Sequence, residues 1–200
     1  MRQIEEMRTK ISADLHDDVG TLLTAIAMQS EYLAKQKPKN LDEELIEIGT
    51  LSRSAMEKLR GVVWSLDPRK DRFENLIDRM KSFADQQLEN SKFDYGFSTS
   101  EINGSEFINP DVRRNVYLIY KEAIANILKH SKGDEVKIDF EKEDAQYRLS
   151  IFDNGTFAES AETDGLGLSN MKMRAEKIKA VLKINRDNGF RVELGIPILT

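Results

Sequence analysis

The chain has 200 residues, 40% hydrophobic and 32% charged, with 30 basic against 35 acidic side chains and a net charge of -5. It is long enough for one large domain or two small ones and too apolar for a disordered chain, and its acidic balance argues against binding nucleic acid through a basic surface. The absence of cysteine excludes thiol catalysis, disulfides and cysteine-bound zinc, and two histidines are too few for a three-histidine metal centre.

Met1-Arg2-Gln3-Ile4-Glu5-Glu6 does not read as a signal peptide, and no apolar run approaches the roughly 20 residues of a membrane helix. The expectation is a soluble, cytoplasmic chain with no membrane contact of its own, whose chemistry uses oxygen ligands, histidine or backbone.

Two long helical patterns come first. Leu15, Val19, Leu22, Ile26, Gln29 and Leu33 step alternately by four and three. Leu45, Ile48, Ser52, Ala55, Leu59, Val62 and Leu66 do the same. A 3.5-residue seam belongs to packed, lightly supercoiled helices. Lys37-Pro38-Lys39-Asn40 separates the two patterns, because a residue before proline avoids the helical region. The result is a helical hairpin of residues 1–67. Leu15 to Leu33 spans about 27 Å, yet two helices make a thin core. Either a second copy completes a four-helix bundle, or the hairpin packs on the rest of its own chain.

Beyond Asp67-Pro68, residues 68–200 are enough to bury a core of their own. Helix is expected from Leu76 to Leu88, then a strand over Phe93–Ser98 and a turn at Asn103-Gly104. Pro110 suits a first helical position. It precedes a helix over Val112–His130 with the apolar stripe Val116, Ile119, Tyr120, Ala123 and Ile127. Alternation predicts strands at Glu135–Glu141 and Tyr147–Asp153. A glycine-punctuated loop, 154–167, leads to a helix over Leu168–Lys179. Strands follow at Val181–Arg186 and Arg191–Ile196, joined by Asp187-Asn188-Gly189. These elements predict an α/β sandwich with a mixed sheet and its helices on one face.

Three clusters hold residues capable of chemistry. His16 lies one position off the first seam, at the edge of the bundle, where a partner can reach it. A neutral imidazole is a nucleophile towards phosphorus, and a neighbouring carboxylate such as Asp17 can fix the tautomer that leaves one nitrogen free. The same residues also suit a plain surface histidine among the acids that favour a helix start. Glu122 and Asn126, four apart on one helical face, can hold a hydrated magnesium together with phosphate oxygens, and Lys129 can reach a phosphate. A solvated polar face is by itself the commoner explanation of such residues. Asp153-Asn154-Gly155 ends an apolar strand, where a carboxylate can accept an adenine amino hydrogen. Gly165-Leu166-Gly167-Leu168 opens a helix, where glycines let backbone amides approach phosphates. It is neither a Walker loop nor a dinucleotide fingerprint.

Taken in order, the histidine helix, the hairpin, the Glu-x-x-x-Asn helix, the strand-end Asp-x-Gly and the Gly-x-Gly-Leu resemble the cytoplasmic core of a bacterial sensor histidine kinase. The subgroup is the one with a Leu-His-Asp phosphoacceptor box, of the nitrate-sensor and desaturase-thermosensor kinds. The resemblance runs from about Arg8 to Ile196. It implies a dimeric hairpin bundle followed by a Bergerat-type ATP-binding sandwich, as in gyrase and related chaperones. His16 would be the phosphoacceptor and Asp17 its acid/base. Glu122 and Asn126 would hold Mg2+ and orient the triphosphate, with Lys129 and His130 near the phosphates. Asp153 would bind adenine with Gly155 allowing close approach, and Gly165, Gly167 and Leu168 would flank the lid over the phosphates.

The same resemblance implies a homodimer that passes its phosphoryl group to a response regulator aspartate, with Trp64 near the hinge before Asp67-Pro68. Thr21 stands where dephosphorylating relatives carry Gln. Phe157 replaces a second glycine, and the loop 156–164 is short and acidic. Two rival readings are a non-catalytic dimeric scaffold with the same fold and a serine kinase of the anti-sigma type.

Overall fold

The computed structural model describes residues 19–35, 41–156, 166–186 and 189–198. The chain divides into two compact units, Met1–Asp67 and Pro68–Thr200.

In the first unit, α1 (Thr21–Lys35) and α2 (Leu41–Leu66) pack along each other. Val19, Leu22, Ile26, Gln29 and Leu33 are buried or half-buried, as are Ile48, Ser52 and Ala55. The polar member of the first seam is satisfied across the hairpin: Gln29 Nε2 donates to Glu44 Oε2 (3.0 Å) and Glu47 Oε2 (2.7 Å). Two expected seam positions differ. Leu45 and Leu59 stay exposed, because a single neighbouring helix shields one flank of a 3.5-residue seam and leaves the other open.

The second unit is built on a five-stranded sheet. Its strands are β1 (Asp94–Ser100), β2 (Glu135–Lys142), β3 (Gln146–Asp153), β4 (Val181–Asn185) and β5 (Phe190–Pro197). They lie in the order β1-β2-β3-β5-β4, with β1 parallel to β2 and every other pair antiparallel. The parallel pair needs a long crossover, which α4 (Pro110–His130) supplies.

Side-chain alternation turns Val136, Ile138 and Phe140 of β2, Leu149 and Ile151 of β3, and Val192 and Leu194 of β5 into the core, all at 0% exposure. Three helices pack on the sheet: α3 (Phe73–Leu88) against β1, α4 against β3, and α5 (Leu166–Lys177) against β4. The predicted stripe Val116, Ile119, Tyr120, Ala123 and Ile127 is wholly buried. Burial of each of its valine and isoleucine side chains contributes about 1.5–3 kcal/mol.

Helix α4 starts at Pro110, two residues ahead of the expected Val112. Asn109 Oδ1 accepts from Asp111 N (2.9 Å) and Pro110 stands where no N–H is needed. Helix α3 begins at Phe73 rather than Leu76. Its first donors are satisfied by a distant loop: Phe73 N donates to Glu106 O (3.1 Å) and Glu74 N to Gly104 O (2.9 Å). A bridge between Arg72 and Phe107, and the bond from Ile108 N to Asp71 O (3.1 Å), extend this clamp. Below it, the fully buried Arg113 pairs with Asp71 at 3.2 Å. Helix α5 runs Leu166–Lys177, two residues ahead of the expected span at both ends. Lys179 adopts a left-handed conformation (φ 55°) and Ala180 N returns to Ala175 O (2.9 Å), which closes the helix.

Candidate functional site

The sheet brings the third cluster to the end of β3. Asp153 is 0% exposed, a costly place for a carboxylate unless its oxygens are bonded. One of them is. Oδ1 accepts from Ser131 Oγ (2.5 Å) and from Gly155 N (2.8 Å). The other oxygen, Oδ2, is buried and has no hydrogen-bond partner among the described residues. A buried, bare acceptor next to a bonded one has room for a donor from a ligand or a water.

The turn after Asp153 is pinned to the loop that leaves α4. Asn154 Oδ1 accepts from Asp134 N and Glu135 N (both 3.0 Å), and its Nδ2 donates to Asp134 Oδ1 (2.8 Å). Gly155 fits only because it lacks a Cβ, which would overlap Ser131 Oγ and Gly133 N. The glycine therefore serves the closeness of two chain segments.

Helix α4 carries the second cluster. Glu122 and Asn126 are half-buried on one face, while Lys129 and His130 are exposed in its last turn, where cations suit the helix dipole. Helices α4 and α5 pack together. Their contact is close at Gly167, where a Cβ would overlap Glu122 Oε1. So the structure brings Gly167 and the neighbouring half-buried Leu168 beside Glu122, and sets Asp153 and Gly155 beside the C-terminal end of the same helix. Ser131 follows Glu122 by nine positions, about 13 Å along the helix axis, a span on the scale of a nucleoside triphosphate.

His16, Asp17 and Gly165 lie outside the described residues, as do Phe157, most of the loop 156–164, the Lys37–Asn40 break, and Asp187-Asn188 of the last turn. Thr21 begins α1.

Two oxygen donors on α4 suit magnesium, which keeps most of its ligands as water and phosphate oxygens. Among the described residues no cluster of three or more acidic or histidine side chains forms a fuller metal cage. The donor set therefore fits a metal that arrives with a phosphate rather than one held permanently.

Sequence reasoning missed Ser131, which joins the end of α4 to Asp153. The only signal was a small polar residue directly after a helix, too common to single out.

Residues 8–71 match the family model described as histidine kinase. Over 98% of its length the chain is 27% identical to the sensor histidine kinase YxjM of Bacillus subtilis, covering 48% of that protein. Over 96% it is 27% identical to the sensor histidine kinase DesK of the same organism, covering 51%. The chain thus spans about half the length of the curated relatives it matches. Among solved structures it resembles the Acinetobacter baumannii histidine kinase AdeS with a TM-score of 0.58, 13% identity, and coverage of 92% of this chain and 98% of that one. The histidine kinase domain of the Erythrobacter litoralis blue-light activated kinase gives a TM-score of 0.55 at 14% identity, covering 98% and 94%. These two likenesses establish the fold.

Proposed function

On the premise that the chain belongs to the sensor histidine kinases, we propose that it is an ATP-dependent protein-histidine kinase core that phosphorylates His16 and passes the phosphoryl group to an aspartate on a response regulator. One observation carries the nucleotide half of this reading: Asp153 presents a buried, unpartnered Oδ2, the acceptor that an adenine amino group would fill. Glu122 and Asn126, with Lys129 and His130 one turn beyond, support phosphate binding along α4, and Gly167 and Leu168 border it at the start of α5.

In the reaction, a ring nitrogen of His16 bonds to the γ-phosphorus as the bond to the β-phosphate oxygen breaks and ADP leaves. Asp17 accepts a hydrogen bond from the other ring nitrogen, which keeps the attacking one unprotonated and stabilises the positive charge the ring acquires. Magnesium, held by Glu122 and Asn126, would neutralise triphosphate charge. The chain's remaining contribution is positioning.

Dimerisation through the hairpin is part of the proposal. Leu45, Ile46, Leu59 and Val63 of α2 and Leu23 and Met28 of α1 are exposed, and a second hairpin would cover them in a four-helix bundle. Among the described residues no helix is long and apolar enough to cross a membrane. We place the chain in the cytoplasm, where its nucleotide is found, as the cytoplasmic part of a sensor.

The test is incubation with γ-labelled ATP and magnesium, comparing wild type with His16→Gln. Acid-labile, base-stable label that disappears in the variant is expected. Acid-stable label that persists would point to the serine kinase. A folded chain that neither binds ATP nor takes up label would leave a non-catalytic scaffold.

A further inference from the structure

We propose that Ser131 is the positioning residue for base recognition: its hydroxyl orients the Asp153 carboxylate so that Oδ2 alone faces the nucleotide, and so ties base recognition to the helix that carries Glu122 and Asn126. The inference rests on the reading of Asp153 as the adenine-binding group and adds a residue to it.

A serine hydroxyl has one proton to give. Ser131 gives it to Asp153 Oδ1 and accepts from Gly133 N (3.0 Å). The hydroxyl is held from behind as well. Ser131 N donates to Ile127 O (2.9 Å) at the end of α4, and Ser131 O accepts from Lys92 Nζ (3.0 Å). Serine and aspartate are both buried, at 7% and 0% exposure.

With Gly155 N as the second donor (2.8 Å), Oδ1 is fixed from two directions and the carboxylate plane cannot turn freely. Without the hydroxyl, Gly155 N alone would hold it and either oxygen could swing towards the base. Of the two donors on Oδ1, Gly155 N belongs to the backbone and the hydroxyl is the side-chain one, so the hydroxyl is the hold on the plane that a substitution removes. Because Ser131 directly follows α4, any displacement of that helix moves the hydroxyl, and with it the carboxylate.

The probes are ATP and purine riboside triphosphate, which lacks the 6-amino group, titrated calorimetrically with magnesium into the full chain. Wild type is expected to prefer ATP. Ser131→Ala should bind ATP about tenfold more weakly and the analogue almost unchanged, which collapses the preference. Ser131→Thr, with its hydroxyl, should keep the preference, and Ser131→Cys, with a weak donor, should fall between. This series reads out even if the alanine variant folds poorly. In phosphorylation assays KM for ATP should rise with kcat nearly constant, since the residue acts on the base.

An unchanged ATP preference in Ser131→Ala, or parallel loss of both nucleotides in every variant, would overturn the positioning role while leaving Asp153 as the base reader. A wild type that binds both probes equally would instead remove the reading of Asp153 itself.

Discussion

In the N-terminal unit Leu23, Leu45, Leu59 and Val63 are between 43% and 60% exposed, whereas in the C-terminal unit Leu76, Ile119, Phe140 and Leu149 are at 0%. Both sets come from regular apolar patterns that look alike in the sequence. The difference is layering. The C-terminal pattern has a sheet on one side and three helices on the other, so the facing apolar sides of sheet and helices meet within the same unit. The hairpin has one layer and two flanks, and among the described residues nothing in its own unit covers the second flank. Periodicity tells which residues want burial. How many layers are present tells whether burial is achieved within the unit.

The contrast can be broken at each end. The largest effect is expected for the double variant Leu45→Glu/Leu59→Glu. In a dimer four leucines change at about 2 kcal/mol each, on the order of 8 kcal/mol together. Sedimentation equilibrium should show a monomer while ATP affinity is retained, and a dimer that survives would mean that the exposed stripe is not the interface. Phe140→Ala should do the reverse. Removing a fully buried ring costs about 3–5 kcal/mol, read as a drop in the urea midpoint of the C-terminal unit, with self-association through the hairpin intact.

Asp71→Ala should cost the C-terminal unit about 3 kcal/mol, because the buried Arg113 loses its carboxylate partner. Adding Arg113→Met should recover part of that loss, and additive losses would show that the pair is not the reason for burial.

The smallest effect concerns the rim of the same unit. Lys142 Nζ donates to both oxygens of Glu106 (3.0 and 3.2 Å) and holds the carboxyl below its usual range. A depressed carboxylate contributes stability above its unfolded pKa and loses it as pH falls through the folded one. Glu106→Gln should therefore lower Tm slightly near neutrality, with the gap to wild type closing as the solution is acidified below the glutamate range. A gap that widens in acid would refute the assignment.

Much of this architecture was legible in the chain. The seam through Val19, Leu22 and Ile26, the place of Pro110 at the start of α4, the buried stripe of α4 and the alternation of β2, β3 and β5 all follow from local rules. The pairing of Asp71–Glu74 with Gly104–Ile108 was not, and with it went the start of α3. Those segments are joined by backbone bonds that any side chains permit, so composition carries no trace of them. The site divides in the same way. Residue type and spacing single out Asp153, Gly155, Glu122 and Asn126 as candidates, and their order along the chain carries the resemblance that gives them roles. Ser131 reaches Asp153 across 22 positions, and Gly167 meets Glu122 only because two helices pack. Neither relation has a period to betray it.

The place of β5 between β3 and β4 also orders events during synthesis. Until residues 190–197 emerge, β3 lacks one neighbour, β4 has no strand to pair with, and Asp153 sits at the end of an open edge. The hairpin needs nothing that comes later than α2. At about 5–20 residues per second it precedes β5 by on the order of ten seconds. In the proposed dimer, the two nascent hairpins would therefore be able to meet well before either copy has a finished sheet.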